Sequence, residues 1–343
     1  MKKSWKAKMS NPIAVVGAGS WGTALAMLLG SKGYQVRLWG HNPKHIKELQ
    51  SERENRKYLP GFPFPESVEP VSDLNSCIEG CRVVVMVVPS HGFRAVYQQL
   101  APLLEEGSCV VSAVKGIENS TLMTMTQVME DIHTSIGVEG ISTAVLSGPS
   151  FAKEVAQNMP TAITIGCRDL GTAKMLQQLF VTESFRVYAS SDVIGLEISA
   201  ALKNIVAVAA GICDGLGYGL NTRAALITRG LAEITRLGVA MNAEYATFSG
   251  LSGLGDLVLT CTGDLSRNRT VGLKLGQGRK IEDIVSEMNM VAEGVKTTKS
   301  CYHLAKKLGI EMPILEQVYA ILYEDKNCSD AVLDLLKREL KVE

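Results

Sequence analysis

Short apolar runs alternate with helix-length segments through the first 190 residues. The run Ile13–Val16 leads into the glycine-rich turn 17–22, Thr23–Leu29 has the pattern of a helix, and Tyr34–Trp39 is strand-like again. Further strand-like runs follow at Val83–Val88, Ser108–Val114, Thr143–Ser147, Thr161–Gly166 and Phe185–Ala189. Strands that alternate with helices are typical of a parallel sheet with helices on both faces, so the pattern predicts a doubly wound α/β domain.

Beyond about Gly195 the strand pattern fades. Longer helical patterns rich in alanine, leucine and isoleucine replace it, above all at 195–211 and 221–238. The change predicts a domain boundary between residues 190 and 194. We therefore predict a disordered basic tail at 1–10, an α/β domain at 11–192 and an all-α domain at 193–343.

The turn after the first strand carries the pattern GxGxxG, formed by Gly17, Gly19 and Gly22. In a strand–turn–helix frame, the first glycine permits a tight turn, the second lets a pyrophosphate approach the backbone, and the third allows close helix packing. The N-terminus of the following helix adds partial positive charge. The segment predicts a Rossmann-type dinucleotide site; a glycine-rich turn without a ligand is the alternative.

The cofactor subtype stays open at this point. An NAD site usually has an acidic residue about 20 positions after the glycine turn, where it binds the ribose 2′-hydroxyl. Here the corresponding stretch reads Trp39-Gly40-His41-Asn42, and the first carboxylate after it is Glu48. The missing negative charge allows the 2′-phosphate of NADP(H), with His41 either beside the adenosine end or in an exposed loop.

Composition and charge exclude several classes of partner. Thirty-five basic residues balance 35 acidic ones, so no global field attracts nucleic acid or an anionic membrane. We find no apolar run near the roughly 20 residues of a membrane-spanning helix, the longest clear one being Val83–Val88, and predict no membrane insertion. The 343 residues, 46% of them hydrophobic, suffice for two cores.

The cysteines are read as small apolar side chains. The chain has eight, scattered without a CxxC pair or histidines at zinc spacing. That usage is typical of a reducing compartment and predicts a cytoplasmic protein without a metal site. Cys261 follows Thr260, but no histidine lies near it in the sequence to activate it, so we predict a packing role.

Two segments of the helical half carry candidate chemistry. Asp256 and Thr260 are four residues apart and share one face if their apolar segment is helical. Ser266, Arg267 and Asn268 follow with donors suited to phosphate, although a solvated turn would have the same composition. Lys203 and Asn204 stand inside an apolar helix, where a lysine is costly to bury without compensation; the alternative is a side chain that reaches out to water.

With these motifs in place, the chain resembles the bacterial NAD(P)-dependent glycerol-3-phosphate dehydrogenase family from about Pro12 to Leu335. The resemblance rests on GAGSWGTALA, LWGHNP, VVPSH, AVKGIE, LSGPSFAKE, ALKNIVAVAAGICDGLG, NTRAALITRGLAE, GLSGLGDLVLTCTGDLSRNR, LGQG, VAEGVKTTK and EMPI, all in the family's order. It implies reversible hydride transfer between NAD(P)H and dihydroxyacetone phosphate, giving sn-glycerol 3-phosphate for phospholipid synthesis. It also implies a helical substrate-binding domain like the C-terminal domain of 6-phosphogluconate dehydrogenase, and a homodimer.

The resemblance also implies individual roles. Lys203 is the acid/base, Lys115 polarises the carbonyl, and Asp256 orients Lys203 and limits the fall of the lysine pKa that two adjacent ammonium groups cause. Substrate contacts are implied for Asn204 and Thr260 at the reacting end, for Gly148 and Ser150, and for Ser266, Arg267 and Asn268 at the phosphate. Cofactor contacts are implied for Ser20, Trp21, Lys115, Ala152, Val291 and Glu293. We also predict cofactor contacts at Gly17, Gly19 and Gly22 of the glycine turn and at His41, Tyr58 and Arg267.

Two other functions fit parts of the sequence. One is a related two-domain dehydrogenase acting on a β-hydroxyacid or on 6-phosphogluconate, which would also place a lysine in a helix after the Rossmann domain. The other is a non-enzymatic cofactor sensor built on a Rossmann domain. The rival dehydrogenases do not share the stretch from GLGDLVLTC to SRNR, and a sensor would not need Lys115, Lys203, Asp256 and Arg267 together.

Overall fold

The computed structural model describes residues 11–288 and 292–339. They form two compact units. The N-terminal unit comprises the chain up to Val114 together with Met125–Val193, and the C-terminal unit comprises Lys115–Thr124 together with the chain from Ile194. The predicted tail at 1–10 and the predicted cofactor contact Val291 lie outside the described residues.

A single eight-stranded sheet forms the centre of the N-terminal unit. Its strands are β1 (Ile13–Val16), β2 (Val36–Trp39), β5 (Val68–Val71), β6 (Val83–Met86), β7 (Cys109–Ser112), β8 (Ser142–Ser147), β9 (Thr161–Cys167) and β10 (Phe185–Ser190). The spatial order is β10-β9-β8-β7-β6-β1-β2-β5, parallel except for the antiparallel pair β8 and β9. The fold class predicted from the sequence is confirmed.

Two features of this unit were not predicted. Strand β5 has the sequence Val-Glu-Pro-Val and forms the edge of the sheet, the position where a proline, which lacks an N–H, is tolerated. A small hairpin is the second feature, formed by β3 (Glu54–Asn55) and β4 (Leu59–Pro63). The proline-rich segment that contains β4 has no regular alternation, so its pattern did not indicate strands.

Among the described residues of this unit, seven α-helices accompany the sheet: α1 (Ser20–Ser31), α2 (Pro43–Glu52), α3 (Leu74–Ile78), α4 (Phe93–Leu100), α5 (Met125–Ile136), α6 (Ala152–Ala156) and α7 (Leu170–Phe180). Several begin where the sequence supplies a side-chain cap. Asn42 accepts from the first free N–H groups of α2, and Asp169 does the same for α7. Apolar side chains on one face of the strands, such as Val15, Val85 and Val111, pack with α1, α2, α6 and α7 in one core.

The helices of the C-terminal unit are α8 (Val193–Gly215), α9 (Leu220–Ala240), α10 (Tyr245–Phe248), α11 (Asp256–Thr262), α12 (Arg267–Gly276), α13 (Ile281–Ser286), α14 (Glu293–Leu308), α15 (Pro313–Tyr323) and α16 (Cys328–Leu336). A π-helical turn, Leu251–Gly255, precedes α11. The helices predicted at 195–211 and 221–238 are α8 and α9 and are confirmed. The segment Lys115–Thr124 joins this unit through Ile117, which belongs to its core.

Helix α8 corrects the sequence argument about apolar runs. It is 23 residues long, and an 18-residue window within it has a mean hydropathy of 1.7, which is enough to cross a membrane by length and composition. However, 94% of that window is buried inside the protein. A helix that is apolar on all sides is typical of a core element, and α8 is the central helix of this unit.

Helices α8 and α12 cross at backbone distance because each carries two glycines four residues apart. A Cβ at Gly211 of α8 would lie 2.0 Å from the Arg269 carbonyl oxygen, and one at Gly272 of α12 would lie 2.0 Å from the Val208 carbonyl oxygen. Gly215 and Gly276 continue the contact one turn later. The glycines therefore fix where the first turn of α12 lies along α8.

Candidate active site

The glycine turn of the N-terminal unit has the geometry of a phosphate cradle. Gly17 has φ +127°, and a Cβ there would lie 2.7 Å from the Val87 carbonyl carbon. A Cβ at Gly22 would lie 1.8 Å from the Gly17 carbonyl oxygen, whereas a Cβ at Gly19 would meet no atom within 4 Å. The turn is closed beneath Gly17 and Gly22 and open beside Gly19, at the N-terminus of α1. This shape fits a dinucleotide pyrophosphate.

The hairpin β3–β4 holds this turn through hydrogen bonds that the sequence did not indicate. Asn55 is fully buried, and its Nδ2 donates to the Ala18 carbonyl oxygen at 3.1 Å and to Thr23 Oγ1 at 2.8 Å. Ser20 Oγ donates to the Tyr58 carbonyl oxygen at 2.7 Å. The sequence of residues 55–65, NRKYLPGFPFP, is rich in proline and aromatic residues, which is typical of a rigid surface loop or a lid. The only signal for Asn55 was a polar residue next to a proline-rich segment.

The remaining cofactor candidates of this unit lie at strand and helix ends. Trp21 is the second residue of α1, His41 is exposed two residues beyond β2, and Ala152 begins α6. Tyr58 is half-buried, with its ring edge-on to His45 at 5.3 Å between centroids.

The two substrate candidates of this unit follow β8. Gly148 has φ +141°, and a Cβ there would lie 2.9 Å from the Ile163 Cα atom, so a side chain is excluded. Ser150 Oγ donates to the Gly148 carbonyl oxygen at 3.1 Å. Their proposed contact with substrate stays a prediction.

In the C-terminal unit, two lysines share one buried carboxylate. Lys203, near the middle of α8, and Asp256, at the start of α11, are 5% and 1% exposed. Lys203 Nζ donates to Asp256 Oδ1, and Lys115 Nζ donates to Asp256 Oδ2 at 2.8 Å. Thr260, one turn beyond Asp256 as predicted, accepts from Lys203 Nζ at 2.8 Å. Lys203 is therefore buried and compensated, and it does not reach out to water.

Burial decides the protonation of Lys203. It lowers the lysine pKa to about 7; Asp256 raises that pKa, and Lys115 lowers it. Sequence reasoning expected repulsion between the two ammonium groups to be the cause. Repulsion acts in that direction, but the loss of water around Lys203 has the larger effect.

The other polar residues of this unit surround the start of α12. Ser266 is its N-cap and accepts from the Arg269 N–H at 3.3 Å. Arg267 is exposed as a whole residue; atoms packed around its guanidinium lower its pKa, and Glu293 at the start of α14 opposes that shift. Asn268 is buried, and its Nδ2 donates to Asn204 Oδ1 at 2.9 Å.

Arg269 has a structural role in this unit. Its Nε donates to Asp214 Oδ2 at 2.8 Å, and Arg223 donates to Oδ1 of the same carboxylate. This ion-pair cluster ties the first turns of α9 and α12 to the last turn of α8. The cluster therefore holds the start of α12, with Ser266, Arg267 and Asn268, against α8. The spacing of these residues in the sequence does not indicate the cluster.

Cys261 is fully buried in the apolar core, and burial raises the pKa of its thiol to about 12, so its thiolate is not available as a nucleophile. Within residues 11–288 and 292–339, no group of three or more histidine, cysteine, aspartate or glutamate side chains is arranged to hold a metal ion.

A dinucleotide cradle in one unit and a buried lysine paired with a carboxylate in the other are typical of nicotinamide-dependent dehydrogenases. Comparison with known proteins defines the group further. Residues 12–173 match the family model for the N-terminus of NAD-dependent glycerol-3-phosphate dehydrogenase, and residues 192–333 match the model for its C-terminus. The chain belongs to the NAD-dependent glycerol-3-phosphate dehydrogenase family.

Individual relatives agree with this assignment. The chain is 62% identical over 332 residues to glycerol-3-phosphate dehydrogenase [NAD(P)+] of Desulfotalea psychrophila, covering 96% of this chain and 98% of that protein. It is 54% identical over 335 residues to the enzyme of that name from Citrifermentans bemidjiense, covering 98% and 99%. The crystal structure of glycerol-3-phosphate dehydrogenase from Coxiella burnetii superposes with a TM-score of 0.92 at 42% identity, covering 96% and 100%.

Proposed function

We propose that this protein is an sn-glycerol-3-phosphate dehydrogenase that transfers a hydride between NAD(P)H and dihydroxyacetone phosphate. One observation supports this above all: two lysines converge on a single buried carboxylate, and burial brings the pKa of Lys203 to about 7. A group with that pKa exchanges protons in both directions near neutral pH. A cofactor sensor would have no use for a buried, neutral-range lysine.

In the reduction direction, NAD(P)H held at the glycine turn would supply the hydride, and negative charge would develop on the carbonyl oxygen of the substrate. Lys203 Nζ carries the proton that this oxygen takes up, and Lys115 polarises the carbonyl before transfer. Asp256 holds both ammonium groups in place, so they need no reorganisation when the charge develops. In the oxidation direction, neutral Lys203 accepts the alcohol proton.

Other residues are assigned to binding. Arg267 offers a guanidinium for the substrate phosphate, with Ser266 and Asn268 beside it, and Asn204 and Thr260 complete the hydrogen bonds at the reacting end. Gly148 and Ser150 are proposed as further substrate contacts. The cofactor is proposed to bind at the glycine turn with Ser20 and Trp21, and at His41, Tyr58, Lys115, Ala152, Arg267, Val291 and Glu293.

The cellular role and assembly belong to the same proposal. The physiological direction is proposed to be synthesis of glycerol phosphate for phospholipids, in the cytoplasm, by a homodimer. What supports a reducing compartment is that all eight cysteines are free thiols, seven of them buried. The preferred nucleotide is proposed to be NADP(H), because no carboxylate stands at the end of β2 to repel a 2′-phosphate.

The direct test is the loss of absorbance at the reduced-nicotinamide band when dihydroxyacetone phosphate is added, with NADPH and NADH in parallel. We expect rapid oxidation of at least one cofactor, and the ratio of the two specificity constants measures the nucleotide preference. The Lys203→Ala variant serves as the inactive control. If wild-type protein oxidises neither cofactor but NADPH still raises its Tm, the enzymatic proposal is overturned in favour of a sensor.

A further inference from the structure

Three helices of the C-terminal unit are joined by a chain of two hydrogen bonds through buried side-chain amides. The Gly294 backbone N–H, in the first turn of α14, donates to Asn268 Oδ1 at 2.9 Å. Asn268 Nδ2, in the first turn of α12, donates to Asn204 Oδ1 of α8 at 2.9 Å. Asn204 and Asn268 are 5% and 8% exposed, and Gly294 is buried.

The direction of this chain is determined by its first member. A backbone N–H is only a donor, so the atom of Asn268 that faces Gly294 must be the carbonyl oxygen. The other end of the Asn268 amide is then an NH2 group, and the atom of Asn204 that faces it must be the oxygen of that side chain. The Asn204 amide is thereby left with its NH2 group turned away from Asn268.

The close packing at Gly294 fixes the relative positions of the three hydrogen-bonded residues. A Cβ at this residue would lie 2.8 Å from the backbone carbonyl oxygen of Asn204 and 2.8 Å from the side-chain oxygen Oδ1 of Asn268. Among residues 11–288 and 292–339, the Asn204 NH2 group has one acceptor, the Ala200 backbone carbonyl oxygen at 3.4 Å. Asn204 directly follows Lys203 in the sequence, so it lies on the same turn of α8 as the proposed acid/base.

We propose that Asn268 is a positioning residue that orients the Asn204 amide so that Asn204 presents an N–H donor, and not a carbonyl oxygen, to an oxygen at the reacting end of the substrate. The inference rests on the proposed function and deepens it. It assigns to Asn268 an action through Asn204 in addition to a contact with phosphate. It also makes the backbone of Gly294 the group that sets donor and acceptor in the substrate site.

The test is a double-mutant cycle between the two asparagines, measured as kcat and KM for dihydroxyacetone phosphate. Asn268→Asp keeps the acceptor for Gly294 but offers an oxygen to Asn204, so the Asn204 amide turns over and presents its carbonyl oxygen to the substrate. We expect kcat to fall about 100-fold in Asn268→Asp and about 10-fold in the uncharged Asn268→Ala, where the amide is merely released. In an Asn204→Ala background, each change should alter kcat by less than about threefold, because the group to be oriented is gone.

Two outcomes overturn the proposal. Equal fold-changes in kcat in the Asn204 and Asn204→Ala backgrounds would show that Asn268 acts independently of Asn204. A rise in KM without a fall in kcat would assign Asn268 to the phosphate alone. Urea unfolding of the same proteins tests the contact between Asn204 and Asn268 independently of activity. If the two side chains are in contact, the losses in the free energy of unfolding caused by the single changes do not add up in the double variant. Failure of wild-type protein to oxidise either cofactor overturns the proposed function and the substrate side of the proposal, whereas additive kcat effects in an active enzyme overturn only the positioning role.

Discussion

At the scale of single residues, the pKa of Lys203 depends more on the groups around it in the folded protein than on its neighbours along the chain. The ammonium group has left water for the apolar interior of the C-terminal unit, and a single carboxylate, Asp256, compensates for two positive charges. Burial therefore favours the neutral amine, and the pKa falls to about 7. The consequence is a proton donor and acceptor balanced near physiological pH.

This balance predicts opposite pH dependences for the two reaction directions. Reduction of dihydroxyacetone phosphate needs the ammonium form of Lys203, so kcat/KM should fall as pH rises above about 7, the pKa in the ligand-free protein. Oxidation of glycerol 3-phosphate needs the neutral amine, so kcat/KM should fall as pH drops below the same value. Lys203→Ala should lower kcat by about 10²- to 10⁴-fold and remove both limbs while leaving the cofactor Kd nearly unchanged. Unchanged limbs in the variant would assign them to another group.

Arg267 should contribute to substrate binding and little to the proton transfer. Replacing it with alanine removes the guanidinium from the start of α12, and we expect the apparent KM for dihydroxyacetone phosphate to rise by the equivalent of about 2 to 4 kcal/mol. Lys307→Ala removes an exposed positive charge from the C-terminal end of α14 and is the matched control. Steady-state kinetics with both variants measures the difference. A normal KM in Arg267→Ala would exclude this residue from the phosphate site.

At the scale of helices, the crossing of α8 and α12 depends on absent side chains. Helix α8 carries Lys203 and Asn204, helix α12 carries Arg267 and Asn268, and Asn268 is hydrogen-bonded to Asn204. The two backbones meet further along both helices, at Gly211 and Gly272. Side chains larger than that of glycine do not fit at these two positions, because even a Cβ atom would overlap a carbonyl oxygen of the other helix. The glycines therefore determine the spacing between the proposed acid/base and the proposed phosphate site.

Gly272→Ala should consequently be far more damaging than an ordinary glycine-to-alanine change in a helix. Its Cβ would lie 2.0 Å from the Val208 carbonyl oxygen, so α12 must move away from α8. We expect a loss of about 3 kcal/mol in the free energy of unfolding, together with a higher KM. Gly219→Ala is the control, because a Cβ there meets no atom within 4 Å and the backbone φ is −81°. Urea unfolding of both variants measures their free energies of unfolding. Equal values would contradict the close approach of α8 and α12.

The elements themselves were largely predictable from the sequence, because periodicity reports which side of an element is buried. The strands at Val83, Cys109 and Phe185 and the helices α8 and α9 follow from it directly. The hairpin β3–β4 did not, since its pairing depends on a buried Asn55 whose partners lie 32 to 37 residues earlier in the chain. Nothing in the sequence distinguishes Gly272 from any other helical glycine until its partner helix is known.

The same limit applies to the candidate site. The types of residue at Lys203, Asp256 and Thr260, and the spacing of the last two, indicated a polar cluster, and the resemblance to a family supplied their roles. The segment Lys115–Thr124 is different, because it follows a strand of the sheet yet packs with the helical unit. That placement depends on the contact of Ile117 with the C-terminal core, which no local pattern reveals.

At the scale of the whole molecule, the charges nearly cancel, with 35 basic and 35 acidic residues. Overall repulsion therefore contributes little to the dependence of stability on pH near neutrality, and a few buried groups dominate it. One is Glu233 of α9, whose carboxylate accepts from the Ile314 N–H at 2.8 Å and from the Leu315 N–H at 3.3 Å, at the start of α15. Burial raises its pKa to about 7, although both N–H groups and Arg236 oppose the shift.

A carboxyl group with a raised pKa in the folded state holds its proton more tightly there than in the unfolded chain. Its contribution to stability is complete below the unfolded pKa of 4.5 and is lost as pH rises through the folded value of about 7. Lys203 acts in the opposite sense above pH 7, because its folded pKa is lowered. A comparison with Glu233→Gln isolates the glutamate, since every other titrating group is shared.

We therefore expect the stability difference between wild-type protein and Glu233→Gln to shift against the wild type by about 3 kcal/mol between pH 4.5 and pH 8. The glutamine keeps one acceptor for the start of α15 but does not titrate, so its own stability should show only the pH dependence of the remaining groups. Urea unfolding of both proteins at several pH values in this interval measures the shift. Parallel stability curves would mean that the pKa of Glu233 is the same in the folded and unfolded protein, and that the two N–H groups of α15 offset the cost of burying its charge.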